Sequence, residues 1–146
     1  MIKLGLVTTD YEFDALEAGW KKLVDNNAAI SVFQSWEWQR TWWHYYGLNQ
    51  PLQIIVAYAD NDIVGIFPLY IQKRKILRFL EIKQLRLIGT GGDTSPDDLG
   101  VLVNPDHEEE VLKAVSEYLL QKLNDWDVTL LSELSSKDKF LDILKN

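Results

Sequence analysis

Apolar residues along this chain recur first with the alternation of a strand and then with the spacing of helices. Residues 1–7 read as a first strand. Thr9 followed by Glu12 has the form of a capping box, and Phe13, Leu16, Trp20, Leu23 and Val24 recur at helical spacing. The pattern therefore predicts a helix running to about Asn26, where Asn26 and Asn27 end it. Ser35 is placed to cap a second helix that Gly47 terminates. At ~100° per residue, Tyr45, Trp38, Trp42, Tyr46, Trp43 and Trp36 fall on one half of its wheel. Arg40, His44, Glu37 and Thr41 share the opposite arc, so one face is expected to bury and one to stay polar.

From residue 52 the period shortens. The β-branched run at 54–56 predicts a strand over 52–59, Asp60, Asn61 and Asp62 supply turn chemistry, and 63–67 returns as the hairpin partner. Pro68 belongs at an edge or bulge because it has no N–H to give to a ladder. A further apolar segment covers 76–82, and 85–88 forms a strand that ends in Gly89, Thr90, Gly91 and Gly92. After a loop of Ser95, Pro96, Asp97 and Asp98 comes a short apolar run at 99–103, then Asn104 and Pro105 as cap and first-turn proline. The third helix carries the stripe Val111, Leu112, Val115, Tyr118, Leu119 and Leu123, with Glu108 to Glu110 near its positive end. Residues 128–131 form another strand and 137–144 a last short helix. This order predicts one α/β domain, a mixed β-sheet flanked by helices, with a crossover making 85–88 parallel to 128–131.

Composition narrows the chemistry. The 146 residues, 47% hydrophobic and 25% charged, suit one packed domain. Cysteine is absent, which excludes disulfides, thiolate nucleophiles and thiolate metal sites. Nothing resembling a signal peptide or a membrane span is legible, so no membrane span and a cytoplasmic location are expected. A net charge of -7 argues against nucleic acid as the main partner. The charge is uneven, with Lys73, Arg74, Lys75, Arg78, Lys83 and Arg86 in one segment and an acidic stretch after it. A solvated strand edge is the plain reading of the basic segment, and a local anion site its alternative.

Candidate chemistry is sparse. His44 and His107 fit no metal spacing, so no metal is expected. No Gly-x-Ser-x-Gly elbow occurs. The aromatic helix offers Trp38, Trp42 and Tyr45 as possible walls of a ligand groove, beside Arg40 and His44, against the reading of a packed core. Asp97 and Asp98, with Asp93 nearby, are candidates for binding a hydroxylated substrate or a cation, or simply turn residues. Arg86, Gly89 and Gly91 match the Arg/Gln-x-x-Gly-x-Gly/Ala pattern with which GNAT acetyltransferases hold the acetyl-CoA pyrophosphate. That loop must run into a helix to bind phosphates, and here Asp93, Pro96, Asp97 and Asp98 follow instead. Arg86 is expected to point to one face of its strand and pair with a carboxylate.

The segment Val32 to Trp36 with Trp42, Trp43 and Gly47, then Asp62 to Leu69, Leu87 to Gly89, Asp97 and Asp98, Leu102 and Val103, and Trp126 and Asp127 before Leu130, together resemble one family. The chain is similar to the N-terminal lobe of the CelD-type (cellulose-biosynthesis) acetyltransferases, relatives of the FemAB-like transferases. The resemblance covers roughly residues 13–134. It implies a GNAT-like (acyl-CoA N-acyltransferase-like) fold lacking the last strands of its sheet, and an acyl-CoA site in a second lobe. This chain alone would then bind no cofactor, acetyl-CoA entering only with that lobe. A second GNAT-like lobe or self-association through open strand edges is the expected partner, and transfer would go to an amine or hydroxyl. The competing expectation is a noncatalytic ligand- or protein-binding module that keeps the fold.

Overall fold

The computed structural model describes residues 1–122, 124–134, 139, 140 and 142. Strand β1 (Ile2–Val7) leads into α1 (Asp10–Ala15) and α2 (Glu17–Asp25), then α3 (Trp36–Tyr46). The strands β2 (Ile54–Ala59), β3 (Asp62–Phe67), β4 (Leu69–Leu77) and β5 (Leu80–Leu87) follow as two hairpins. After them come β6 (Leu102–Val103), α4 (Glu108–Gln121) and β7 (Val128–Leu130). The helix expected over 137–144 falls mostly outside the described residues, as does Leu123.

Local chemistry explains the boundaries. At α1 the Thr9 hydroxyl accepts from the Glu12 N–H at 3.2 Å while the Glu12 carboxylate accepts from the Thr9 N–H at 3.1 Å. These reciprocal bonds hold the Glu12 carboxyl below its usual range, the Thr8 N–H contributing most. The single helix expected to Asn26 is broken at Leu16, whose N–H reaches back three residues to Phe13 at 3.0 Å and tightens that turn. The break leaves Phe13, Leu16, Trp20 and Leu23 on the same core. At α3 the Ser35 hydroxyl caps the Trp38 N–H, and the Gly47 N–H closes the last turn on Trp43.

One sheet has the order β1-β2-β3-β6, all antiparallel, and the other the order β4-β5-β7. Within the second, β4 and β5 are antiparallel, whereas β5 and β7 run parallel with Leu85 beside Thr129, the crossover the sequence order predicts. Pro68 lies between β3 and β4, where the chain passes from one sheet to the other, and its carbonyl accepts from Ile88 N at 2.7 Å. All four residues 54–57 are buried because both faces of β2 are covered. Ile55, Ala57, Val64 and Phe67 pack with Val111, Leu112 and Val115 of α4, while Ile54, Val56 and Ile66 pack with Phe13, Trp20 and Trp42 from the helices on the other side. The architecture is thus mixed α/β, two sheets between helical layers.

The apolar segment 76–82 sits at the end of the β4–β5 hairpin, where Ile76, Leu77, Phe79 and Leu80 are exposed. No helix among the described residues is long and apolar enough to cross a membrane.

Candidate functional site

The glycine loop after β5 lies along the aromatic ridge of α3. Trp38, Trp42 and Tyr46 stand one turn apart on the helix, and each meets a different point of the loop. Trp38 packs on Gly89, the Trp42 indole N–H donates to the Thr94 hydroxyl at 2.9 Å, and Tyr46 packs on Gly92. Trp42 and Tyr46 are stacked at 5.3 Å, and Tyr70 of β4 sits against both Trp42 and Trp43. Between these rings the Gln39 side chain, 1% exposed, donates to the carbonyls of Phe33 at 2.8 Å and Ile88 at 3.3 Å. Gln39 is the residue sequence reasoning missed. At 100° per residue it falls midway along the buried arc from Trp42 to Trp43. Tyr45 lies beyond that arc and is 68% exposed, and Tyr46, at the end of the helix, is 42% exposed, so the expected burial of all six aromatics fails at both tyrosines.

Arg86, Gly89 and Gly91 are brought together, but by bonds among protein groups. Gly89 and Gly91 have φ of 106° and 90°, the left-handed region that favours glycine. Arg86 donates from Nε to the Thr90 hydroxyl at 3.2 Å and from Nη1 to the Gln72 carbonyl oxygen at 2.9 Å. The carboxylate partner expected for Arg86 is therefore replaced by an amide and a hydroxyl, because Gln72 faces Arg86 diagonally across the β4–β5 ladder. Thr90 in turn donates to Leu87 O at 2.8 Å, and the buried Tyr70 hydroxyl donates to Thr90 O. Burial pushes the Tyr70 hydroxyl up to about 12, with the Arg86 charge opposing the rise. A Cβ at Gly91 would meet Tyr70, Gln72 and Arg86 together. No helix follows within residues 89–101.

The outer arc of α3 has a different character. Asp14, Arg40, Thr41, His44 and Tyr45 line an open hollow of about 440 Å³. Arg40 is not free to take a ligand there. Its Nε donates to Asp14 at 2.6 Å, its Nη2 lies 3.6 Å from Asp10, and its guanidinium sits over the Phe13 ring. This clamp holds the Asp14 carboxyl below its usual range and raises Arg40. His44 meets the Tyr45 ring edge-on at 5.0 Å and makes no hydrogen bond or ion pair among the described residues.

The residues proposed from sequence as substrate-binding thus divide into three places. Arg40, His44 and Tyr45 share the hollow, and Trp38 and Trp42 are occupied by the glycine loop. Asp93, Asp97 and Asp98 are exposed on the following loop, where the Asp98 carbonyl accepts from Ser31 Oγ at 3.0 Å. Among the described residues no group of three His, Cys, Asp or Glu is arranged to hold a metal.

A second position merits the same test, because main-chain N–H groups at a helix start after a strand are the general cradle for phosphates. The β6-to-α4 connection is such a place. It carries Asp106, Glu108, Glu109 and Glu110, its Asp106 N–H is taken by the Asn104 side chain at 3.0 Å, and Lys139 is engaged by Glu108. Carboxylates around a helix start repel a diphosphate by about 1 kcal/mol each at ~4 Å in water, and more where solvent is excluded.

No protein-family model matches the sequence, and no curated protein matches it. Solved structures do share its fold. A ribosomal-protein-alanine N-acetyltransferase from Brucella melitensis biovar Abortus 2308 superposes with a TM-score of 0.55 at 13% identity, over 99% of this chain and 89% of that one. Glucosamine-6-phosphate N-acetyltransferase from Arabidopsis thaliana gives 0.54 at 15% identity, over 100% and 91%. An aminoglycoside acetyltransferase from an uncultured soil metagenomic sample gives 0.53 at 15% identity, over 99% and 85%. The fold is that of the GNAT acetyltransferases.

Proposed function

We propose that this chain is an acyltransferase-related lobe of the CelD type that takes part in acyl transfer from acetyl-CoA only with a second lobe or partner, another chain or another copy, supplying the pyrophosphate cradle. The observation that carries the reading is the fate of the two phosphate-cradle positions. The Arg86-to-Gly91 loop is closed on Tyr70, Gln72 and Thr90, and the α4 start is lined with carboxylates. The residues present do not fit a CoA diphosphate. What the chain offers to an acceptor is the outer arc of α3, with Thr41, His44 and Tyr45 accessible around the hollow. The same exposed arc supports the second reading, a noncatalytic module that binds a ligand or protein there.

Calorimetric titration with acetyl-CoA separates the cases. The isolated chain is expected to give no binding heat, and a mixture with the candidate second lobe is expected to bind. Low-micromolar binding by the isolated chain, lost in Arg86→Ala, would show the loop to be a working cradle and overturn the reading. Absence of binding in the mixture as well would favour the noncatalytic module.

A further inference from the structure

The outer half of the β4–β5 hairpin has no role in the core. Leu69, Tyr70 and Ile71 are buried at its base, whereas residues 73–81 are all exposed. Two features set this half apart. At the apex Phe79 is 97% exposed, and Ile76, Leu77 and Leu80 stand beside it. Arg78 stands in the turn beside Phe79, and behind the apex Lys73, Arg74, Lys75 and Lys83 accompany one carboxylate of the hairpin, Glu81, with Asp127 of the neighbouring segment accepting from the Lys83 N–H at 2.8 Å, on a chain whose net charge is -7. None of these five cations forms an ion pair among the described residues. Lys73 even lies directly opposite Lys83 in the ladder, a like-charge pairing that disfavours the hairpin unless an anion neutralises it.

We propose that this hairpin is an interfacial anchor that seats the protein on an anionic phospholipid bilayer, its apolar apex entering the headgroup–acyl boundary and its cations meeting lipid phosphates. The dimensions agree. Lys75 and Lys83 are each four residues from Phe79, about 13 Å along the strands at ~3.3 Å per residue. An apex immersed by about 5–10 Å leaves those cations at or just above the phosphate layer. A convex apex needs a deformable apolar medium or a matching apolar pit. The hollow on α3 sets Asp14 and Arg40 beside Tyr45, and the one beside β3 sets Lys22, Asp60 and Asp62 beside Leu23, Ile63 and Val64, so neither is a purely apolar pit on a second copy. Clusters of Lys and Arg beside an apolar wedge are attracted to phosphatidylserine-containing surfaces, with a range limited to about 8 Å at physiological salt.

The chain has no cysteine, so Leu77→Cys accepts one environment-sensitive dye at the apex with Phe79 kept, and Tyr11→Cys places the same dye on α1 as control. The labelled full chain is mixed with phosphatidylcholine vesicles with and without phosphatidylserine. The apex dye is expected to shift to the blue only with phosphatidylserine, and raised salt is expected to reverse the shift, while the control dye stays unchanged. In co-sedimentation, Lys73→Glu with Lys75→Glu, and separately Phe79→Ser, are expected to weaken partitioning by about tenfold or more with the circular dichroism unaltered. No partitioning at low salt, or partitioning that both variants retain, overturns the proposal. A concentration-dependent increase in mass that Phe79→Ser abolishes, without vesicle binding, would assign the apex to protein association instead.

Discussion

Gly91→Ala tests whether the glycine loop is a brace or a cradle. Gly91 has φ of 90°, where an L side chain is strained by about 1–2 kcal/mol. The added Cβ would also lie 2.8 Å from the Tyr70 hydroxyl, 3.1 Å from Gln72 Nε2 and 3.2 Å from Arg86 Nη1. The Tyr70 contact cannot yield freely, because its ring is wedged against Trp42 and Trp43 and its hydroxyl is buried on Thr90 O. Displacing that donor leaves a buried polar pair unmade, at about 1–3 kcal/mol. The expected loss is therefore about 2–5 kcal/mol out of the 5–15 kcal/mol typical of a domain, and about 5–15 °C in Tm. Urea unfolding followed by tryptophan fluorescence measures it, with the midpoint falling and the slope unchanged. If the substitution shifts stability by less than about 0.5 kcal/mol, the loop is not a brace and the steric reasoning is wrong.

Two further outcomes follow from the same cluster. Tyr70 is held protonated, its folded value raised to about 12, so its stabilisation is intact below the ordinary value near 10 and is lost as pH rises through the folded one. Urea midpoints should fall between about pH 10 and 12, and Tyr70→Phe should flatten that slope; equal slopes in both proteins would contradict the assignment. Gln39→Leu removes the partner of two carbonyls, and a loss of about 1–3 kcal/mol is expected in the same assay, with no loss refuting a bracing role.

Features written in adjacent residues were legible in the sequence. Thr9 and Glu12 announced the capping box, Ser35 the start of α3, and the α4 stripe its buried face, because each depends on contacts within one or two turns. The parallel pairing of β5 with β7 was legible from element order alone. What failed depends on register or on distant packing. The run Lys73 to Lys75 hides a strand because both faces of that part of the hairpin meet solvent, so no alternation marks it. Gln72 reaches Arg86 only through the register that sets Tyr70 opposite Arg86, which neither residue encodes singly. Gln39 is a polar letter in an aromatic helix and reads as surface until the carbonyls of Phe33 and Ile88 are placed on either side of it. The separation of Trp38 and Trp42 from Arg40, His44 and Tyr45 has the same origin, since the loop covers only part of the α3 wheel.

The brace constrains where any reaction on this chain takes place. Once Trp38, Trp42 and Tyr46 support the loop and Arg40 is clamped to Asp14, the accessible side chains of α3 around the hollow reduce to Thr41, His44 and Tyr45. Deprotonating an amine or hydroxyl acceptor calls for a base oriented and tuned by a neighbour within hydrogen-bond reach. His44 has an aromatic edge beside it and no such neighbour among the described residues. Under the proposed two-lobe reading, the second lobe would supply the base or its orienting group together with the diphosphate cradle, so the two deficiencies would have one remedy. The isolated chain is expected to show no acetyl transfer with or without His44→Ala, and the substitution is expected to lower transfer only in a mixture with the proposed second lobe. Robust turnover by the isolated chain that His44→Ala abolishes would place the base in this lobe and break the link between the two deficiencies.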